Sequence, residues 1–158
     1  MVNTTVAFLT VHASRSKAAF EVLVARWVGI LVSESYGAYQ QWVHGRQTCL
    51  AHLIRRARGL AKRKNSELAW FGRRVLAELQ QLVHWAQAPP TARAVQIWYA
   101  RMVQLIGRSR YRQDEAGKLA RTLNREMDAL WTFVAEQGSI PRITGPREHS
   151  GSRCSGAG

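Results

Sequence analysis

The chain has 158 residues, of which 46% are hydrophobic and six are tryptophan, so it can bury the core of one ordinary domain. Its 23 lysines and arginines outnumber its 10 acids, which gives a formal net charge of +13. This composition excludes a wholly disordered chain and favours a polyanionic partner, because clustered cations bind phosphates by releasing condensed counterions. A well-solvated surface is the alternative explanation of the excess.

Cysteine usage and hydropathy bear on the compartment. Cys49 and Cys154 are far apart in the sequence and do not make a disulfide framework, which fits a reducing cytoplasm. No signal-peptide pattern is visible, and no apolar run approaches the roughly 20 residues that cross a bilayer. P-loop, dinucleotide-binding and serine-hydrolase motifs are also missing. We therefore expect a cytoplasmic protein with no membrane partner and no small-molecule substrate.

Strand and helix signals alternate in the first fifty residues. Runs rich in β-branched and apolar residues predict three strands: Val6–Val11, Val28–Ser33 and Arg46–Leu50. Ser14 can cap a helix whose apolar face reaches Trp27, and a short helix is predicted through Tyr36–Trp42. This alternation predicts an α/β arrangement with some parallel pairing.

After Ala51 the strand signals stop and helical spacing takes over. The pattern predicts four helices: residues 50–61, Ser66 to the Pro89–Pro90 break, a helix capped by Thr91, and a helix from about Asp114 through Val134 to a stop at Gly138. We interpret the tryptophans as core residues and not as base-stacking platforms. Residues 139–158 have almost no large apolar side chain, so we expect them to be disordered.

Positive charge is concentrated in two blocks of the helical part. Residues 42–64 hold seven basic residues and no acid, and residues 91–112 hold five and no acid. Basic side chains opposite the leucine stripe of a helix are typical of a face that follows the phosphates of a nucleic acid. The residues predicted to bind DNA are Arg46, Arg55, Arg56, Arg58, Lys62, Arg63, Lys64, Arg101 and Arg108.

Cys49 and His52 have the spacing of half a zinc site. No second pair with matching spacing exists in the sequence, so we interpret them as a buried thiol and a helix histidine.

One long motif is more specific. Residues 29–39 read Gly-Ile-Leu-Val-Ser-Glu-Ser-Tyr-Gly-Ala-Tyr, and residues 46–56 read Arg-Gln-Thr-Cys-Leu-Ala-His-Leu-Ile-Arg-Arg. This closely resembles the DDE transposases of the sixty-six family of bacterial insertion sequences, which typically read G-x-L-V-S-D-G-Y-x-x-Y and then R-Q-x-C-x-A-H-L-x-R. Residues 14–17 and 130–133 are also similar, so the resemblance covers roughly residues 1–138.

The resemblance implies an RNase H-like fold in which acidic residues hold two Mg²⁺ ions that support cleavage and joining of DNA. On that basis, we expect an α/β protein with an incomplete RNase H-like core in residues 1–50. An all-helical, basic insertion lobe would follow in residues 51–138, and a disordered, out-of-frame tail in residues 139–158. DNA is the implied partner, in a bacterial cytoplasm, with intact transposase or other element-encoded proteins as further candidates.

The chain departs from the family at its catalytic acids. The first acid belongs to a strand that is expected upstream of residue 1. The second falls at Glu34, where the family has Asp followed by Gly and this chain has Ser35. Because metal sites tolerate displacements of only about 0.5 Å, the added methylene makes Glu34 at most a residual metal ligand. A solvated residue at a strand end is the alternative interpretation.

The third catalytic acid of the family has no counterpart in the reading frame that encodes this chain. The family continues with P-T-N-N-x-A-E-R-x-L-R, but Pro141 is followed by an unrelated segment. One permitted set of codons for residues 142–156, read two bases later, encodes Asn-Asn-Arg-Ala-Glu-Arg-Ala-Leu-Arg. The sequence therefore predicts a frameshift between about residues 133 and 142, so that Glu148 is not the catalytic acid.

These observations predict a truncated transposase fragment whose ancestral role was metal-dependent DNA transposition. We expect this chain to be catalytically inactive and not to bind Mg²⁺ productively. The alternative is a non-catalytic, basic helical nucleic-acid-binding protein or a regulator of intact transposase. Salt-dependent DNA binding would favour that alternative, and aggregation would favour the fragment.

Overall fold

The computed structural model describes residues 16–35, 37, 39, 42 and 45–136. Its elements in chain order are α1 (Lys17–Val24), β1 (Ile30–Ser33), β2 (Gly45–Thr48), α2 (Leu50–Ala61), α3 (Ser66–Trp85), α4 (Ala92–Ser109), α5 (Glu115–Glu126), a 3₁₀ turn (Met127–Ala129) and α6 (Thr132–Glu136). None of the described helices combines the length and the apolar character that crossing a bilayer requires. The described part is therefore mostly helical, with a small sheet near its beginning.

β1 and β2 form a two-stranded parallel sheet, paired from Ile30 with Gly45 to Ser33 with Thr48. This confirms the predicted parallel pairing, although both strands are shorter than predicted. The predicted strand Val6–Val11 and the tail 139–158 lie outside the described residues, as does most of the predicted helix at Tyr36–Trp42. The RNase H-like core therefore stays a prediction.

α1 is shorter than its apolar pattern suggests. Its N-cap is Ser16, whose hydroxyl accepts a hydrogen bond from the Ala19 N–H at 3.2 Å, while Ser14 lies outside the described residues. The helix ends at Val24 because Ala25 adopts a positive φ of 42°. Trp27 lies beyond this end, so the prediction that the helical face reaches it is wrong.

Helices α2 to α5 enclose the main core. Asn65, Thr91 and Asp114 cap α3, α4 and α5 by accepting hydrogen bonds from backbone N–H groups of the first turn. The sequence predicts the starts of α4 and α5 at Thr91 and Asp114, and the structure confirms both. Gly72 lets α3 approach α2 closely, since a Cβ there would lie 2.7 Å from the Leu60 carbonyl carbon.

Three tryptophans, Trp85, Trp98 and Trp131, are buried together in this core. The Trp98 ring centroid lies 6.1 Å from that of Trp85 and 6.0 Å from that of Trp131. Trp27 and Trp70 instead leave 47% and 43% of their surface exposed. The interpretation of the tryptophans as core residues holds for the first three and is wrong for these two.

The last predicted helix is interrupted. α5 ends at Glu126, the 3₁₀ turn follows, and α6 begins only at Thr132, so one continuous helix through Val134 is not formed. Gly138, the predicted stop, lies outside the described residues.

Contacts with β2 explain the interruption. The Gln47 side-chain amide donates to the Leu130 carbonyl at 3.0 Å, and its Oε1 accepts from the Phe133 N–H at 3.2 Å. The Thr132 hydroxyl donates to the Arg46 carbonyl at 2.7 Å. Residues 130–133 thus form hydrogen bonds with Arg46 and Gln47 of β2, and the Leu130 carbonyl and the Phe133 N–H are not used to continue the helix. The helix is therefore interrupted here. The division into domains at residue 50 stays a prediction, although these contacts join the two proposed parts.

Candidate functional site

Glu126 is a fully buried carboxylate at the end of α5. Its Oε2 accepts from the Thr48 hydroxyl at 2.8 Å and pairs with the Arg46 guanidinium, and its Oε1 accepts from Arg125 Nε at 3.2 Å. Burial alone would raise the pKa of this carboxyl, but the hydrogen bonds from Thr48, Arg46 and Arg125 together hold the pKa below its ordinary value. Glu126 therefore ties the helical region to β2 as a charged group.

Sequence reasoning missed Glu126, although a signal for it exists. Glu126 follows Leu123 by three residues and precedes Leu130 by four, so it occupies a position within the apolar stripe of its helix. An acid at such a position must be paired when the helix packs, because an unpaired buried charge is costly.

Arg46 is consequently an internal residue. Only 12% of its side-chain surface is exposed, and its partner Glu126 is fully buried. The sequence predicted Arg46 as a DNA contact, and the structure places it in the ion pair between strand and helix.

Glu34, the predicted second acid, directly follows β1. Its Oε2 lies 3.5 Å from His52 Nε2, and the other ring nitrogen, Nδ1, lies 3.4 Å from Cys49 Sγ. Cys49 is only partly buried and His52 is exposed, so the interpretation of Cys49 as a buried thiol is wrong. The three side chains form a contiguous group at the end of the parallel sheet.

This group does not fit a magnesium site. The imidazole faces Cys49 and Glu34 with opposite ring nitrogens, so all three side chains cannot bind one ion. Mg²⁺ also prefers oxygen ligands in octahedral geometry. Across residues 16–35 and 45–136, no cluster of three or more His, Cys, Asp or Glu side chains is arranged to hold a metal ion.

Two predicted DNA contacts in the helical region are engaged in ion pairs. Arg101 donates twice to the buried Glu78 carboxylate, at 2.8 and 2.9 Å, and these hydrogen bonds raise its pKa. Arg63, just after α2, pairs with Glu115 at the start of α5, and both side chains are about half exposed. Binding a phosphate at either arginine would compete with an acid that is already in place.

Arg56 is engaged with a neutral partner. Its guanidinium donates to the Thr122 hydroxyl at 3.2 Å. Burial, and then the charge of Arg125, lowers its pKa. Arg56 is exposed like Arg55 and Arg58, but its guanidinium group is held against α5 by the Thr122 hydroxyl.

Arg55, Arg58 and Lys62 form an exposed row along α2, which we call the basic stripe. Spacings of three and four residues place them on one side of the helix. The opposite side is buried through Leu53, Ala57 and Leu60. Lys64 and Arg108 are exposed as well. Within the described ranges, none of these five cations pairs with an acid.

Comparison with known protein families gives a match that covers most of the chain. The model of the Transposase IS66 family matches residues 2–141. The match includes Glu34, the sheet and all of the described helices, in agreement with the range of the resemblance. The comparisons with curated proteins and with solved structures gave no match.

Proposed function

Since this chain belongs to the IS66 transposase family, we propose that it binds DNA through the basic stripe together with Lys64 and Arg108, and that it does not itself cleave or join DNA. The family makes DNA the expected partner. The observation that carries the proposal is the contrast between these five exposed cations and the arginines whose charge is compensated by acids of the same fold.

The geometry of α2 suits a phosphate backbone. At about 1.5 Å rise per residue, Arg55 and Lys62 are separated by roughly 10 Å along the helix axis. Duplex DNA presents one negative charge per about 1.7 Å of its axis, so several phosphates fall within this span. Guanidinium groups bind phosphate oxygens with two parallel hydrogen bonds, which favours arginine at such positions. This mode of binding senses charge and does not read sequence.

The proposed lack of catalysis rests on Glu34 and its surroundings. The side chain is one methylene longer than the family's Asp, and it lies within 3.5 Å of the His52 ring. Glu126 is the carboxylate that helical packing brings to the sheet, and its oxygens accept from Thr48, Arg46 and Arg125. The fragment character belongs to the same proposal and rests on the out-of-frame motif in residues 142–156.

Titration of fluorescent duplex DNA at several salt concentrations tests the DNA-binding surface. The variant Arg55→Gln/Arg58→Gln/Lys62→Gln should make the slope of log K against log salt less negative by roughly 2.7, at about 0.9 per lost phosphate contact. A matched control, Lys17→Gln/Arg26→Gln/Arg93→Gln, removes the same charge from exposed sites elsewhere. Equal slope changes in the two variants would show that binding follows net charge and not the stripe.

A nicking and strand-transfer assay tests the absence of catalysis. We expect no product from the purified chain with Mg²⁺ or Mn²⁺. The control is Glu34→Ala, which removes the remaining acid at the strand end. Metal-dependent cleavage that disappears in Glu34→Ala would overturn this part of the proposal and leave the DNA-binding part intact.

A further inference from the structure

A cleft of about 530 Å³ opens where the start of α3, the end of α4 and the start of α5 meet. Sites for small ligands have volumes of about 300–1,000 Å³, so the cleft is large enough for one nucleotide. Its walls include Trp70 and Arg73 from α3, Arg108 from α4, and Arg112 from the following loop. We call it the Trp70 cleft.

Trp70 gives the cleft an accessible aromatic surface. The indole keeps 43% of its surface exposed, whereas the neighbouring Phe71 is buried. Trp70 and Arg73 are three residues apart and therefore lie on the same side of α3. The exposed indole therefore offers a flat aromatic face, beside arginine side chains, on which a planar ligand can stack.

The charges in the cleft are unequal. Arg112 pairs with Asp114 at 2.7 Å and with Glu67 at 2.9 Å, so its charge is compensated within the fold. Arg73 and Arg108 have no ion pair with any residue of the described ranges. The cleft therefore presents two uncompensated guanidinium groups beside one indole.

We propose that the Trp70 cleft binds one unpaired nucleotide of a DNA strand, with its base stacked on Trp70 and its phosphate bound by Arg73 and Arg108. The inference rests on the proposed DNA-binding function and specifies the form of DNA. Every base has a face that can stack on an aromatic side chain, but in a continuous duplex both faces are covered by neighbouring pairs. The cleft thus favours DNA with a displaced base and remains indifferent to which base it is.

The test compares three DNAs of equal length: a continuous duplex, a duplex with one unpaired nucleotide, and a duplex whose unpaired nucleotide lacks its base. The full chain should bind the second about tenfold more tightly than the other two, a modest gain for stacking one base. Trp70→Ala should remove the preference, and Trp70→Phe should keep most of it. Arg73→Gln should weaken binding to both unpaired DNAs, whereas Arg74→Gln, an exposed neighbour that does not line the cleft, should leave the preference unchanged.

The comparison of the base with the abasic site needs no variant, so it decides the question even where Trp70→Ala does not fold. Equal affinity for the three DNAs, or a preference that survives in folded Trp70→Ala, would overturn the inference. Salt-dependent binding that still requires the basic stripe would in that case leave the proposed function standing. Failure to bind any of the three DNAs would overturn both.

Discussion

Replacing Arg46 with methionine separates a role in folding from a role in DNA binding. The Arg46 side chain is 12% exposed and faces Glu126, whose side chain has no exposed surface. Methionine keeps much of the length but leaves the carboxylate with Thr48 and Arg125 as donors. Breaking one side of a buried ion pair costs about 3–5 kcal/mol. Because Arg125 remains, we expect the lower end, about 3 kcal/mol of unfolding free energy.

Urea unfolding of the wild type, Arg46→Met, Glu126→Gln and the double variant measures this coupling. The double variant should be more stable than Arg46→Met alone, because it no longer buries an uncompensated charge. DNA affinity of the folded variants should stay within about twofold of wild type, with an unchanged salt slope, since Arg46 and Glu126 are not among the proposed phosphate contacts.

The opposite pattern would refute this reasoning. If Arg46→Met reduced the salt slope by about 0.9 and changed the unfolding free energy by less than about 0.5 kcal/mol, Arg46 would contact a phosphate. The internal pair with Glu126 would then not exist in solution.

Three further predictions concern other parts of the chain. The pKa of Glu126 is lowered in the folded state, so its stabilisation is complete above the ordinary value of 4.5 and is lost as the pH falls through the folded pKa. Urea midpoints should therefore drop on the acid side by less in Glu126→Gln than in wild type, and parallel pH profiles would contradict this. Gly72→Ala should lower the thermal midpoint by the equivalent of about 1–3 kcal/mol, because its Cβ meets the Leu60 backbone, whereas Gly59→Ala, which meets nothing within 4 Å, should be neutral or stabilising. Sequencing the DNA should show codons for residues 142–156 that read Asn-Asn-Arg-Ala-Glu-Arg two bases later, and codons that forbid this reading would rule out the frameshift.

Helix starts and the parallel pair of strands were predictable because they depend on local chemistry. Thr91 and Asp114 cap their helices by accepting from N–H groups three residues ahead. The apolar run that became β1 is recognisable from its β-branched and apolar composition alone, although Ile30 and Val32 stay exposed. The end of α1 was not predictable in this way, since Ala25 carries no side-chain preference for its positive φ.

The candidate site was less predictable because its residues are paired across long sequence separations. Arg46 meets Glu126, and Arg101 meets Glu78, only after helices and strand have packed. In sequence, Arg46 and Arg55 look alike as members of one basic block. Packing buries one against an acid and leaves the other on the surface. The exposure of the Trp70 indole was not predicted for the same reason. Helical spacing identifies one face of a helix but does not show whether another element covers that face.

The distribution of acids bears on the proposed DNA-binding surface, because it separates the paired cations from the unpaired ones. Within the described helical region, Glu67, Glu78, Asp114, Glu115 and Glu126 all form ion pairs with arginines. The net charge of +13 is therefore not spread evenly over the molecule. Acids stabilise contacts between elements, and the described cations without an acidic partner include the basic stripe and the Arg73 and Arg108 side chains of the Trp70 cleft. On this proposal, affinity for DNA should respond more to neutralising the basic stripe than to removing an equal number of charges elsewhere, because the cations that contact phosphates are the ones that release condensed counterions.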